Sequence, residues 1–497
     1  MRQVYSIALL AILLAGFSST RAFAQEPNDD DDDTDTLHNT EQPKEAEQPA
    51  PVLPAQKPAE PPAKAAEAPA PVEAPAEAKP KFGDTSITGY LRGSFGASSE
   101  KGRMTCFALS NPAGLVSKYR LGNECEVWSE THFTTVVYAA NDGAVARVHF
   151  MPTVYIPTTS IGHSPNATVS SPQFTTSTGA TVSFPNLYVD IQNIPWLAGG
   201  TVWAGTRYYK RESVYISDFF YWNPSGVGAG IEDIHLGKDM RLSYAAFAVD
   251  GEPASTGAAP SPTLPPQSNF GVRNDLQLRG IRPYASGEFQ IGVQLIANYS
   301  NDPATHGGWG VTLQHVQQLL GGNNKLAFQY GRGGGTGFGT LARFYYPDFS
   351  LRHEDTESRV RLVDVLTIQP VAWLGAQAAF VYQHDDLGTV GGKTDWISAG
   401  TRVGWAFTEH AKLLGEMGLD RVTKDNGSDP QFLAKFTIAP AITAGRDFLN
   451  RPEIRLFYTW AMWNEAARTT SIDSGRLYTA TDKLSGATYG VQAETWW

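Results

Sequence analysis

Glu288-Phe289-Gln290-Ile291-Gly292-Val293-Gln294-Leu295 carries an apolar side chain at every second position and a polar or small one between. Successive side chains of an extended chain point to opposite faces, so this octapeptide has one apolar and one wet face. The pattern recurs. Leu276 and Leu278 alternate with Asp275, Gln277 and Arg279. Leu326, Phe328 and Tyr330 alternate with Lys325, Ala327 and Gln329, and Ile454, Leu456 and Tyr458 with Glu453, Arg455 and Phe457. Period two predicts strands. In a soluble sandwich the apolar face would lie inside; in a membrane barrel it would face lipid while the polar face lines a lumen. Alternation by itself allows both.

The flanking sequence favours the barrel. Arg2, the apolar run Ile7 to Phe17 and Ala22-Phe23-Ala24 have the order of a secretory signal, so residues 1–24 are expected to be removed. No later stretch reaches the roughly 18 consecutive apolar residues of a membrane helix. The chain holds 48 Gly, 24 Phe, 20 Tyr and 12 Trp but two Cys, a profile suited to many strands joined by turns. Of the formal charge of −11, residues 25–82 carry −9 and the signal segment +2, which leaves −4 for residues 83–497. Nothing basic or patterned suggests nucleic-acid binding. Residues 25–82 open with the acidic run Asp29 to Asp33 and continue in Pro, Ala, Glu and Lys. Such a segment buries too little apolar surface to offset its ordering entropy, so it is expected to be a disordered periplasmic extension. A sharper alternative makes it a spacer that contacts peptidoglycan. At roughly 20–25 residues per strand and loop, residues 83–497 would form 16–18 strands around an aqueous lumen. The irregular stretches Pro157–Phe184 and Gly251–Gly271 would be long extracellular loops, and the glycines at 331–339 a mobile loop.

Several stretches resemble the maltoporin family of carbohydrate-selective porins. They are Gly89-Tyr90 with Arg92, the run Ser117-Lys118-Tyr119-Arg120-Leu121-Gly122-Asn123-Glu124-Cys125-Glu126, and Trp203-Ala204-Gly205 with Arg207-Tyr208-Tyr209. Asp218-Phe219-Phe220-Tyr221-Trp222, Gly226, Gly228-Ala229-Gly230, Arg451-Pro452 with Ile454-Arg455, and the terminal Trp496-Trp497 complete the order. The extension 25–82 lies outside typical maltoporins. Sucrose porins also have one, although theirs resembles a coiled coil and this one shows no heptads.

The resemblance implies an all-β, eighteen-stranded transmembrane barrel in the outer membrane of a Gram-negative bacterium, a homotrimer, and a third loop folded inward. Here that loop would run from about Ser213 to Gly230, its glycines allowing a tight reversal. The resemblance also implies a sugar path. Pyranose rings have an apolar C–H face and a rim of hydroxyls, so a sugar pore needs aromatic faces beside polar groups and weak, repeated binding. The aromatic slide maps onto Tyr90, Trp128 and Trp496, the ionisable track onto Arg92, Arg120, Glu130, Arg211 and Asp218, and a constriction position onto Phe220. Interfacial packing is the plainer role for any one aromatic, and setting ion preference the plainer role for the charges.

Departures bear on selectivity. Asn323 and Leu449 stand where the family has slide aromatics, Phe448 lying beside the latter, and Pro185 stands for a track arginine. Ser213 and Asn223 replace two acids of the third loop, and Phe174 is the stand-in for a missing second-loop tryptophan. A shorter slide leaves mono- or disaccharides, or a general diffusion pore, as permeant classes. The resemblance places Cys106 and Cys125 in the first extracellular loop. Export favours a disulfide between them over free thiols or metal ligands. Trp497 resembles the aromatic end that barrels offer to the outer-membrane assembly machinery. The sequence shows no nucleophile elbow, phosphate loop, zinc-protease motif or defensible carboxylate pair, so neither an enzyme nor a cofactor or metal is expected. The remaining alternative is a barrel with a structural role, tethered to the cell wall by its extension.

Overall fold

The computed structural model describes residues 80–109, 119–157, 173–175, 181–250, 270–299, 305–336, 354–470, 477–478 and 482–497. The expected signal peptide and nearly all of the extension lie outside these residues.

The alternating stretches form eighteen antiparallel strands of 8 to 15 residues, each paired with its neighbours in chain order. The sheet closes where the first strand, Thr85–Ser98, pairs with both Glu126–Ala139 and the last strand, Ser485–Trp496. Closure removes the unpaired edges that a membrane cannot tolerate. Connections at one end are short, such as residues 285–286 and 320–321, while those at the other end are long. In an outer-membrane barrel these are the periplasmic and extracellular ends.

The closed sheet decides which face is wet. In Glu453–Trp463, Ile454 and Leu456 are 56% and 62% exposed on the outside, while Arg455 is buried inside. In Gly287–Asn298, Phe289, Val293 and Leu295 point out, and Gln290 and Gln294 point in. Aromatic side chains gather on the outside near the strand ends. Trp373, Trp405 and Phe407 lie with successive ring centres 6.2 and 5.3 Å apart near the short turns, as an interfacial girdle would.

Among the described residues, two segments fold back against the inner wall. The third long connection, residues 208–225, contains the small ribbon Glu212–Val214 with Phe219–Trp222. Val214, Ile216, Tyr221 and Trp222 are fully buried against the inner wall. Ile216 N–H donates to Gln377 Oε1 at 3.0 Å, and Tyr221 Oη donates to Gln314 Oε1 at 2.7 Å. Glu212 holds Arg279 and Lys325 at 3.0 and 2.7 Å. The expected inward loop is therefore present, with a corrected boundary. Gly226, Gly228 and Gly230 belong to the wall strand Gly226–His235, where a Cβ on Gly228 would meet Ala246 O at 2.0 Å. The reversal falls instead at Asp218, whose φ is 55°.

The second inward segment, Tyr119–Cys125, belongs to the first long connection. Tyr119 lies over Gly400 and Gly418, where a Cβ would stand 2.1 and 1.9 Å from its ring, and its hydroxyl bonds Ser398 at 2.9 Å. Lys435 Nζ donates to Leu121 O at 3.1 Å, and Gly122 N–H donates to Gln492 Oε1 at 3.1 Å. Cys106 and Cys125 form a disulfide across 19 residues that staples this segment. Closing a loop of that size contributes about 3 kcal/mol.

The glycines at 331–339 are not simply a loop. Gly331 and Gly333 end the strand Gly322–Gly333, and Gly334–Thr336 form a buried 3-10 turn; residues 337–339 lie outside the described residues. Of the two expected long loops, residues 158–172, 176–180 and 251–269 are likewise outside. Thr181–Phe184 and Phe270–Gly271 are strand.

Candidate functional site

Strand register assembles the inner wall. Tyr90 lies opposite Trp496 on one side and Glu130 on the other, while Arg92 lies opposite Glu494 and Trp128. All of these positions face the lumen, so the closure of the barrel sets two rows of aromatic and charged groups side by side.

The aromatic row continues across the inward loop. Tyr90 stacks on Trp496 at 6.5 Å with the planes 21° apart. Tyr215 meets Trp496 edge-on at 6.1 Å and Phe448 at 6.5 Å. Phe448 is buried and joins this row, whereas Leu449 beside it is exposed. Trp128 meets Tyr155 at 6.1 Å, and its indole N–H donates to Glu130 at 3.0 Å.

Charges flank the rings. Arg92 pairs with Asp218 and Glu126 at 2.9 Å and with Glu124 at 3.1 Å, and its guanidinium lies 5.9 Å from the centre of Trp128. Arg120 pairs with Glu124 at 2.8 Å and Glu494 at 3.0 Å. Its guanidinium lies 5.9 Å from the centre of the Tyr90 ring and 5.1 Å from that of Tyr215, and it donates to the Tyr90 hydroxyl. Burial opposes charge on Arg120, yet Glu124 and then Glu494 raise its pKa well above the ordinary arginine value. It stays a cation. Glu494 is the hub: it also takes Arg451 at 3.0 Å, Arg455 at 2.7 Å and the hydroxyls of Tyr90 and Tyr215. Glu453 bonds Arg455 and lies 3.3 Å from Arg451 and 3.9 Å from Lys412.

The fold thus brings together Tyr90, Trp496, Arg92, Arg120 and Asp218, with Trp128 and Glu130 adjoining along one strand. Arg211 and Phe220 form a second group in the third loop, where the Arg211 guanidinium lies 3.5 Å from the centre of Tyr208 and 4.7 Å from that of Phe220. Sequence reading missed Tyr215, Glu453 and Glu494 as site residues. Glu494 had a local signal, since it lies two residues before Trp496 and so on the same face. Arg451 and Arg455 stood in a quoted motif without an assigned role. Pro185 falls at a register shift between Thr181–Ile194 and its neighbour, a place where a missing N–H costs no ladder bond. Asn323 sits near a short turn, opposite Thr367. Asn223 is buried and accepts from Ser225, and Ser213 lies in the ribbon. Phe174 lies in a three-residue strand, its side chain outside the described residues.

Residues 85–497 match the family described as LamB porin. Among solved structures, OccAB1 of Acinetobacter baumannii is 9% identical, with 85% of this chain and 98% of that chain covered and a TM-score of 0.43. OpdK of Pseudomonas aeruginosa with vanillate is 10% identical, with 83% and 99% covered and a TM-score of 0.42. The trimer form of OmpT from Vibrio cholerae is 8% identical, with 84% and 100% covered and a TM-score of 0.38.

Proposed function

This chain belongs to the LamB porin family, and from that premise we propose that it is a passive, carbohydrate-selective porin for small sugars. It is a multi-pass β-barrel of the outer membrane, a channel rather than an enzyme. The observation that carries the sugar reading is the run Tyr90, Trp496, Tyr215 and Phe448, with successive ring centres 6.5, 6.1 and 6.5 Å apart. On this reading Tyr90, Trp496 and Tyr215 meet the C–H side of a pyranose with the buried Phe448 behind Tyr215, and the bordering ion pairs offer both donors and acceptors to its hydroxyls. Hydrogen bonds to charged groups contribute about 1.5–3 kcal/mol each, so several must be exchanged in sequence for the solute to leave. Trp128, Glu130, Arg211 and Phe220 would extend this path as vestibule contacts. The homotrimer and the cell-wall contact of residues 25–82 are part of the same proposal.

The test is ion conductance of the full chain in planar bilayers during titration with mono-, di- and oligosaccharides. Block that saturates with one sugar class, and weakens in Trp496→Ala, is the expected result. Conductance indifferent to every sugar would leave a general diffusion pore.

A further inference from the structure

Away from the aromatic run, three adjacent strands bring two imidazoles and a carboxylate together on the inner wall. His132 lies on Glu126–Ala139, His149 on Val145–Pro157 and Asp190 on Thr181–Ile194. Register sets His149 opposite both Thr134 and Tyr188, and Asp190 opposite Arg147. His132 is four residues from Trp128 toward the short-turn end, about 13 Å along the strand.

The hydrogen bonds fix the tautomer of His149. Its Nε2 lies 3.2 Å from Asp190 Oδ2, and a carboxylate accepts, so Nε2 carries the ring proton and Nδ1 keeps a lone pair. Asp190 is held by Arg147 at 2.7 Å and by Gln192 at 3.3 Å. Tyr188 lies flat on the imidazole, 4.1 Å away with planes 4° apart. The ring is thus locked at its edge and its face. Nδ1 of His149 has His132 Nε2 and Thr134 Oγ1 as its hydrogen-bond partners, each 3.2 Å away.

We propose that His132 Nε2 and His149 Nδ1 bind a first-row transition-metal dication such as Zn2+, with Asp190 as the orienting carboxylate behind His149. Two nitrogens about 2.05 Å from a tetrahedral ion lie about 3.3 Å apart, close to the separation already present. Imidazole suits zinc, nickel and copper, and a carboxylate on the far ring nitrogen is the outer-shell partner that fixes such ligands. Among the described residues no three His, Cys, Asp or Glu side chains converge as a metal group, so the protein would supply two ligands and lumen water the rest. The neighbouring cations are spoken for: Arg147 is paired with Asp190, and Arg207 with Glu232 at 2.8 Å. Thr134 and Arg147 also border a neighbouring cavity of about 290 Å³ beside Asp84 and Gln192. A bound dication would add two positive charges to the lumen on the short-turn side of the aromatic run.

The purified full chain in detergent is titrated with ZnCl2 by calorimetry, and the same salt is added during bilayer recordings. The expected result is one Zn2+ per chain, with affinity at least tenfold weaker in His132→Gln and no comparable binding of Mg2+. Absence of Zn2+ binding, unchanged affinity in His132→Gln, or Mg2+ binding as tightly as Zn2+ overturns the proposal. His132 is half-buried, so its variant carries the test even where His149→Gln fails to fold. Calorimetry reads the ion without sugar or current, so failure of the sugar reading leaves this result standing.

Discussion

Replacing Tyr215 with alanine isolates the contribution of the ring at the centre of the aromatic run. Tyr215 links Trp496 to Phe448 at 6.1 and 6.5 Å, and the guanidiniums of Arg120, Arg402 and Arg451 lie within 5.1 to 5.6 Å of its centre. Its neighbours Val214 and Ile216 are fully buried, so the loop keeps its anchorage when the ring is removed. One ring face is roughly a third of the ~200 Å² that an aromatic side chain can bury, or about 60 Å². At ~25 cal/mol per Å² its loss costs a bound pyranose about 1.5 kcal/mol. The half-blocking sugar concentration should therefore rise roughly tenfold, since 1.4 kcal/mol is a factor of ten. Tyr215→Phe keeps the ring and loses the hydroxyl that meets Glu494 and Arg451, so its sugar block should stay within about threefold of wild type. The assay is sugar-dependent closure of single channels in planar bilayers. An alanine variant that matches wild type, or a phenylalanine variant as impaired as alanine, refutes the role of the ring.

Two further outcomes follow from the segments folded into the lumen. Reducing Cys106–Cys125 should lower the thermal unfolding midpoint, consistent with about 3 kcal/mol of lost loop constraint, and should increase open-channel noise as Tyr119–Glu124 loosens; an unchanged midpoint and quiet traces would count against it. Gly418→Val places a side chain where the Tyr119 ring lies, since its Cβ would stand 1.9 Å from that ring. Single-channel conductance should change as the ring is displaced, and an identical conductance and sugar block would show that the segment does not narrow the path.

What the sequence discloses depends on how local the cause is. Alternation at Phe289, Val293 and Leu295 was legible because side-chain direction has period two, and these residues do face outward. Which face meets lipid was not legible from alternation, because the pattern is symmetric until the sheet closes. Closure pairs Tyr90 with Trp496 and Arg92 with Glu494, residues about 400 positions apart in the chain. Glycine clusters misled for a related reason. Gly226 to Gly230 look like a flexible reversal in composition, yet they thin a wall strand so that backbones pack closely, with Trp203 against Gly230. Tyr215 escaped notice because a loop carries it across the lumen to Trp496, a meeting no local spacing encodes.

The charge arrangement bears on why the solute should be neutral. Around Glu494 the cations Arg92, Arg120, Lys412, Arg451 and Arg455 alternate with the anions Glu124, Glu126, Asp218, Glu453 and Glu494. A row of one sign would favour counter-ions, whereas alternating signs weaken the net field an ion could follow. A hydroxyl both donates and accepts, so it can share a bond with either partner of a pair without leaving a buried charge alone. That exchange costs little and is repeated at each pair. The rings beside it are spaced within the 4.5–7 Å range of touching aromatic pairs, so under the proposed function the apolar face of a sugar would pass from one to the next with little return to water.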